Sequence, residues 1–293
     1  MLTRKVEAEY TPQARAAKLQ GNVYLYLEAG PDGKPANVQV LHGLGLGLDE
    51  KALEAVRQWE FKPAMVDGQP VRLAQSAEVQ FHLPDAGPWR VRRAVYRVIH
   101  SPKHTEVLSK PVLSQYVNPD AAACPAEGGD AFVQWSIGED GLPHDVKTDR
   151  PDDPISQAAV KAVESWRFQP GMAQGKPRGA LGSAAFECGT SDAAPKESIY
   201  RVGNGVTPPV PLYRPEPEYS DEARKQKAQG EVTLSAVIDR SGHILKIAVV
   251  RGQGMGLDEK AMEAMFQWRF KPATLNGKPV AVLAQILVNF RLL

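Results

Sequence analysis

The feature that most constrains this chain is a text that it writes twice. Gly256-Leu257-Asp258-Glu259-Lys260-Ala261 runs on to Trp268-Arg269-Phe270-Lys271-Pro272. Nearly the same words run from Gly47 through Asp49 and Ala55 to Trp59-Glu60-Phe61-Lys62-Pro63. The offset is 268 − 59 = 209 residues and holds without a gap from Tyr10/Tyr219 to Phe81/Phe290. A degraded third copy ends at Trp166-Arg167-Phe168-Gln169-Pro170. A chain that repeats itself folds as a set of like modules, so repetition is settled before any single element.

Each copy reads as helix, strand, strand, helix, strand. Thr11 and Ser220 stand as N-caps of a short first helix, with Pro12 at the first helical position in repeat one. That helix is expected to end at Gly21, a C-cap glycine. Val23, Leu25 and Leu27 then alternate with Tyr24, Tyr26 and Glu28, and Pro31-Asp32-Gly33 turns the chain into Val38 and Val40. The intervals Gly21 to Gly33, Gly129 to Gly141 and Gly230 to Gly242 are all twelve residues, which makes the third copy credible. For the second helix, Asp49, Ser156 and Asp258 are the expected caps, with Leu48/Leu53, Ile155/Val160 and Leu257/Met262 as hydrophobic staples. Trp59, Trp166 and Trp268 recur on its apolar face and read as core rather than as ligand-stacking residues.

The expected fold class is therefore α+β: three tandem small modules, each with a three-stranded antiparallel sheet. The boundaries are 1–83, 95–189 and 200–293, with a Pro-rich leader over 206–217 in the third. Pro84 to Pro88 and Gly189 to Pro195 read as joints, and the leader as an extended spacer. Modules this small are marginal alone, so they are expected to pack together. Leaders beginning Tyr96-Arg97-Val98 and Tyr200-Arg201-Val202 precede repeats two and three, whereas only nine residues precede Tyr10. That asymmetry suggests that the chain starts inside the leader of its first repeat.

Composition excludes several classes. A formal charge of +1 gives no support to nucleic-acid binding or to an acidic membrane surface. Arg90, Arg92, Arg93 and Arg97 read as a solvated linker rather than a phosphate site. No apolar run is long enough to span a bilayer, and the N-terminus lacks a signal-peptide core. Gly43-Leu44-Gly45-Leu46-Gly47 lacks the lysine and spacing of a phosphate loop. His100 and His104 are spaced like metal ligands, but Pro102 breaks the helix that would align them. No catalytic set, metal site or small-molecule cofactor is expected, and no enzyme.

The two cysteines, Cys124 and Cys188, both fall in repeat two, near the start of its first strand and the end of its last. If those strands are antiparallel neighbours, the thiols meet. A disulfide, implying an oxidising compartment, is the preferred reading; two buried free thiols are the alternative.

Taken together, Pro217-Glu218-Tyr219-Ser220-Asp221-Glu222-Ala223-Arg224, Gly230-Glu231-Val232, Leu257-Asp258-Glu259-Lys260-Ala261, Trp268 to Pro272 and Gly277-Lys278-Pro279-Val280 resemble the C-terminal domain of the TonB family of energy transducers. Repeat one shares the pattern well and repeat two loosely. The chain departs from the family in having Thr11 and Ser220 where proline usually follows the tyrosine, and in its three tandem domains. It also departs in showing neither membrane anchor nor long spacer. The resemblance implies a periplasmic module that grips an extended segment of outer-membrane TonB-dependent receptors by strand addition. An inner-membrane motor complex is implied as a partner only with an anchor upstream.

The residues give their own reason to look at the last strand. Val280 and the run Val282, Leu283, Ala284, Gln285, Ile286, Leu287, Val288 and Asn289 carry no charge, proline or bulge, the devices that protect a sheet edge. The matching strand of repeat one holds Arg72, Glu78 and His82, and that of repeat two holds Gly179 and Gly182. Repeat three is therefore the expected site of partner capture, unless a neighbouring repeat or a second chain in a homodimer covers that edge. The alternative function is a sensory or cell-wall-binding periplasmic tail of a larger membrane protein, such as a membrane protease or receptor.

Overall fold

The computed structural model describes residues 2–98, 109–173, 175–189 and 198–291. His100 and His104 lie outside the described residues. Eleven strands form one extended sheet. In chain order they are β1 (Gly21–Ala29), β2 (Pro35–His42), β3 (Leu73–Phe81), β4 (Trp89–Val98), β5 (Gly129–Ile137) and β6 (Pro143–Thr148). They continue with β7 (Ala180–Cys188), β8 (Tyr200–Arg201), β9 (Gly230–Ile238), β10 (Ile244–Arg251) and β11 (Val282–Phe290). The helices are α1 (Pro12–Ala16), α2 (Leu48–Val56), α3 (Pro154–Glu164), α4 (Asp221–Lys225) and α5 (Leu257–Met265).

The three repeats build the same small sheet, with the first strand in the middle and the last beside it. Gly21 pairs with Phe81, Gly129 with Cys188 and Gly230 with Phe290, all antiparallel. The twelve-residue glycine interval has a steric cause. Gly33, Gly141 and Gly242 have φ near +80° and take the amide of Phe61, Phe168 or Phe270 onto their carbonyls at 2.8, 2.9 and 3.0 Å. A Cβ at Gly242 would stand 1.7 Å from the Phe270 carbonyl oxygen, so no side chain fits there.

The cores follow strand and helix periodicity. In β9, Val232, Leu234, Ala236 and Ile238 are fully buried at every second position beneath Leu257, Ala261 and Met265 of α5. Each repeat buries its tryptophan and ties the indole N–H to its own leader: Trp59 to the Val6 carbonyl, Trp166 to Val117 and Trp268 to Pro215, at 2.8, 2.9 and 3.2 Å. Strand β1 is buried on both faces, because Tyr24 and Tyr26 join the core of repeat three, with Tyr24 4.9 Å from Phe266.

Several expectations are corrected. The second helices are not capped by Asp49, Ser156 and Asp258. The N-cap positions are Gly47 and Gly256, in left-handed geometry, and Asp153, whose carboxylate accepts from the Ser156 amide. Asp49 and Asp258 sit one residue inside the helix, and their carboxylates reach back to loop amides: Asp49 to Leu44 at 2.7 Å, Asp258 to Gln253 at 2.8 Å. The first helix of repeat one ends at Ala16 with Ala17 as its C-cap, and Gly21 opens β1 instead of capping the helix. It is a glycine because the Val91 carbonyl of β4 lies 2.1 Å from where its Cβ would be.

The arginine cluster is not a solvated linker. It lies on β4, where Arg93 is 4% exposed and Arg92 Nη2 meets the Asp239 carboxylate of repeat three at 2.5 Å. Nor is the Pro-rich leader a free spacer. Val210–Tyr213 pairs antiparallel with Arg269–Lys271, and Val206 is buried. Cys124 and Cys188 form a disulfide with their Cα atoms 5.8 Å apart. The helical turn missing from repeat two is replaced beside it by a short 3-10 turn, Ala121–Ala123.

Candidate partner-binding edge

The last strand of each repeat has its inner edge on the first strand, and the outer edges differ. The outer edge of β7 is filled along its whole length by β4, from Ala180 opposite Val98 to Cys188 opposite Trp89. The outer edge of β3 meets β10 of repeat three, with Gln75 opposite Ala248. Next to that bridge Ser76 Oγ both donates to the Ile247 carbonyl, at 3.1 Å, and accepts from the Ile247 amide, at 3.0 Å.

The outer edge of β11 is met only at its start, where Tyr200 and Arg201 of β8 lie parallel to Val282 and Leu283. Tyr200 donates its amide to the Ala281 carbonyl at 2.9 Å. From Ala284 to Phe290 no described strand pairs with that edge. Of the expected site residues, the structure places Val282 to Asn289 on this one strand. Val280 lies before it, its amide bonded to the Ala273 carbonyl.

Backbone groups alternate sides along a strand. Since the Ala281 carbonyl points outward, the N–H and C=O groups of Leu283, Gln285, Leu287 and Asn289 point outward too. Those of Ile286 and Val288 turn inward to β9. Side chains alternate in the perpendicular sense: Val282, Val288 and Phe290 are buried in the core of repeat three, whereas Gln285, Leu287 and Asn289 are exposed. The strand carries no titratable side chain.

Beside the open edge lies a groove of about 710 Å³. Its walls are Leu283, Ile286 and Leu287 on the strand, Trp268 and Phe270 from the core margin, and Pro208, Pro209 and Arg214 from the leader. Arg214 is stacked 5.0 Å over the Trp268 ring. Two of its lining side chains, Val202 and Leu287, are large apolar groups exposed to solvent. Apolar exposure concentrated in one place marks an interaction surface.

Reasoning from the sequence missed the leader as part of this site, although a signal existed. Tyr96-Arg97-Val98 and Tyr200-Arg201-Val202 are the same words, and both lie beside the last strand of their own repeat, antiparallel in repeat two and parallel in repeat three.

The fold and this edge define a tandem array of small α+β modules, one of which keeps an unpaired strand edge bordered by an apolar groove. The model of the Gram-negative bacterial TonB protein C-terminal family matches residues 6–83, 115–187 and 215–292, and the chain belongs to that family. Protein TonB of Vibrio cholerae serotype O1 is 36% identical over 78 residues, which is 26% of this chain and 32% of that protein. Protein TonB of Xanthomonas campestris pv. campestris is 34% identical over 77 residues, 26% of this chain and 34% of that protein. The match thus spans about a third of the length of these relatives. The solution NMR structure of the Pseudomonas aeruginosa TonB CTD aligns with a TM-score of 0.26 at 21% identity, over 29% of this chain and 87% of that one. No described helix is long and apolar enough to cross a membrane.

Proposed function

We propose that this chain is a non-catalytic periplasmic interaction protein of TonB-dependent transport, and that it grips an extended segment of an outer-membrane receptor by adding it as a strand to β11. The observation that supports this reading most is the difference between the three edges. Repeat two has its last strand covered by β4, repeat one is bridged to β10, and repeat three leaves Ala284 to Phe290 unpaired among the described residues. An added strand gains main-chain hydrogen bonds from the outward groups of Gln285, Leu287 and Asn289, and its alternate side chains enter the groove beside Trp268 and Phe270. In this reading repeats one and two are a scaffold that holds the third in place.

Photo-crosslinking tests the assignment. A synthetic peptide of a receptor's extended periplasmic segment, with a photoreactive side chain at alternate positions, is expected to label Gln285, Leu287 and the groove residues Pro208 and Trp268. Labelling centred on β3 or β7, or none at saturating peptide, overturns it.

A further inference from the structure

Two guanidinium groups line one small cavity, and the Nη1 atom of neither is bonded to a counter-ion. Arg93 comes from β4 and Arg269 from the strand segment that follows α5, and both line a space of about 20 Å³ shared with Ser183, Gln267 and Tyr213. In each arginine the Nη1 nitrogen is buried and has no hydrogen-bond partner. A buried donor left unmatched is costly, and more so when it carries charge. Both side chains are stacked on aromatic rings, Arg269 4.8 Å over Phe132 and Arg93 5.9 Å over Phe266, so neither is free to swing toward water.

Asp130, Asp149 and Asp239 act on Arg269 through space, and Asp239 on Arg93, but none bonds either Nη1 atom. Asp239 is held by Arg92 at 2.5 Å and by the amides of Ser241 and His243, and Asp130 is held by Arg150 at 3.0 Å. Asp149 lines the larger neighbouring cavity of about 660 Å³. Burial, and for Arg93 the nearness of Arg269, pulls the Arg93 pKa down to about 9. Burial and the nearby Arg92 pull Arg269 down to about 10. Both stay protonated at neutral pH, so the cavity is walled by two positive charges.

We infer that this cavity is a binding site for one small monatomic anion, chloride in the cell, held between Arg93 Nη1 and Arg269 Nη1. The volume sets the ligand class. A space of about 20 Å³ suits a particle about the size of one water molecule rather than a polyatomic anion. Water would satisfy the two donors but bring no negative charge to the pair of guanidinium groups. The site joins β4, β7 of repeat two (through Ser183) and repeat three, so the ion would fasten parts of the chain that are far apart in sequence.

The test uses the intact protein at constant ionic strength. Replacing sulfate by chloride or bromide is expected to raise the melting temperature by about 2–4 °C, with saturation, relative to the same exchange in Arg269→Gln, which cancels the general stabilising effect of sulfate. Crystals soaked in bromide are expected to show an anomalous peak between the two guanidinium groups. The Arg269→Gln variant is expected to lose both effects while still melting cooperatively. No halide-specific shift in the wild-type protein, or no peak at this cavity, overturns the site. A peak without any thermal shift would mean an adventitious ion only and would also overturn it.

Discussion

Ser76 on the last strand of repeat one holds the backbone of Ile247 in repeat three from both sides, accepting its amide at 3.0 Å and donating to its carbonyl at 3.1 Å. The pair is buried, and it sits where two modules meet through a single strand bridge. One hydroxyl therefore stands in for the ladder that β3 and β10 do not complete. Ser76→Ala removes only the hydroxyl and leaves both Ile247 groups unmatched. The expected cost is about 1–3 kcal/mol, read as a lower midpoint in urea unfolding. A midpoint within error of the wild type would show that the seam does not depend on this contact.

The disulfide is expected to matter most for repeat two. Cys124 and Cys188 close a loop across 64 positions of sequence, and a loop of that size contributes about 4 kcal/mol in the chain-entropy model. The paired Cys124→Ala and Cys188→Ala variant is expected to lose about 2–4 kcal/mol, with hydrogen exchange rising first in β5 and β7. Uniform loss across all three repeats would mean that the chain unfolds as one unit.

Acid is expected to loosen the seams between repeats. His42 is fully buried against Phe266, and burial, with nearby Arg93, lowers its pKa to about 3. His243 is lowered to about 2 by burial and the arginines around it. Both are neutral when folded and bind protons more readily when unfolded. Their stability contribution is present above about pH 6.5, the ordinary histidine value, and is lost as pH falls toward 3. Glu263, ion-paired with Lys110 and Lys260, is held down to about 2 and acts in the same direction at lower pH. Asp49, Glu78 and Glu259 are raised by burial and act oppositely. The slope between pH 6.5 and 5 should be on the order of 1 kcal/mol per histidine per pH unit, and His42→Phe should flatten it. An unchanged slope in that variant would remove His42 as a cause.

Proline placed on β11 separates capture from folding. Leu287 aims its amide outward, so Leu287→Pro removes a donor from the open edge and leaves the β9 ladder whole. It should abolish peptide binding at nearly unchanged melting temperature. Ile286→Pro removes an inward ladder bond and should destabilise repeat three. Peptide binding that survives Leu287→Pro would place capture elsewhere.

Much of the module was legible in the sequence because its signals are local. Glycine spacing, the tryptophan stop and strand alternation all act within about 75 residues, and each leaves a residue-type signature. The helix caps were misread because an aspartate at the start of a helix pattern fits two geometries. It can cap the helix, or, as with Asp49, reach back from inside it to loop amides while glycine turns the corner. What could not be read was how modules share edges. Nothing local in Trp89 to Val98 says that it completes the sheet of repeat two, or that Arg93 is buried between repeats. Those placements rest on contacts between residues far apart in the chain, such as Tyr24 with Phe266. The repeated Tyr-Arg-Val leader was the one sequence clue to edge covering.

The account rests on an edge that is open before a partner arrives, and amide exchange measures this residue by residue. In the free protein the amides of Gln285, Leu287 and Asn289 should exchange fast, while those of Ile286 and Val288, bonded to β9, exchange slowly. Saturating receptor-segment peptide should slow the first set and leave the second unchanged. Slow exchange at Gln285, Leu287 and Asn289 without peptide, or fast exchange that persists with it, would contradict strand capture at β11.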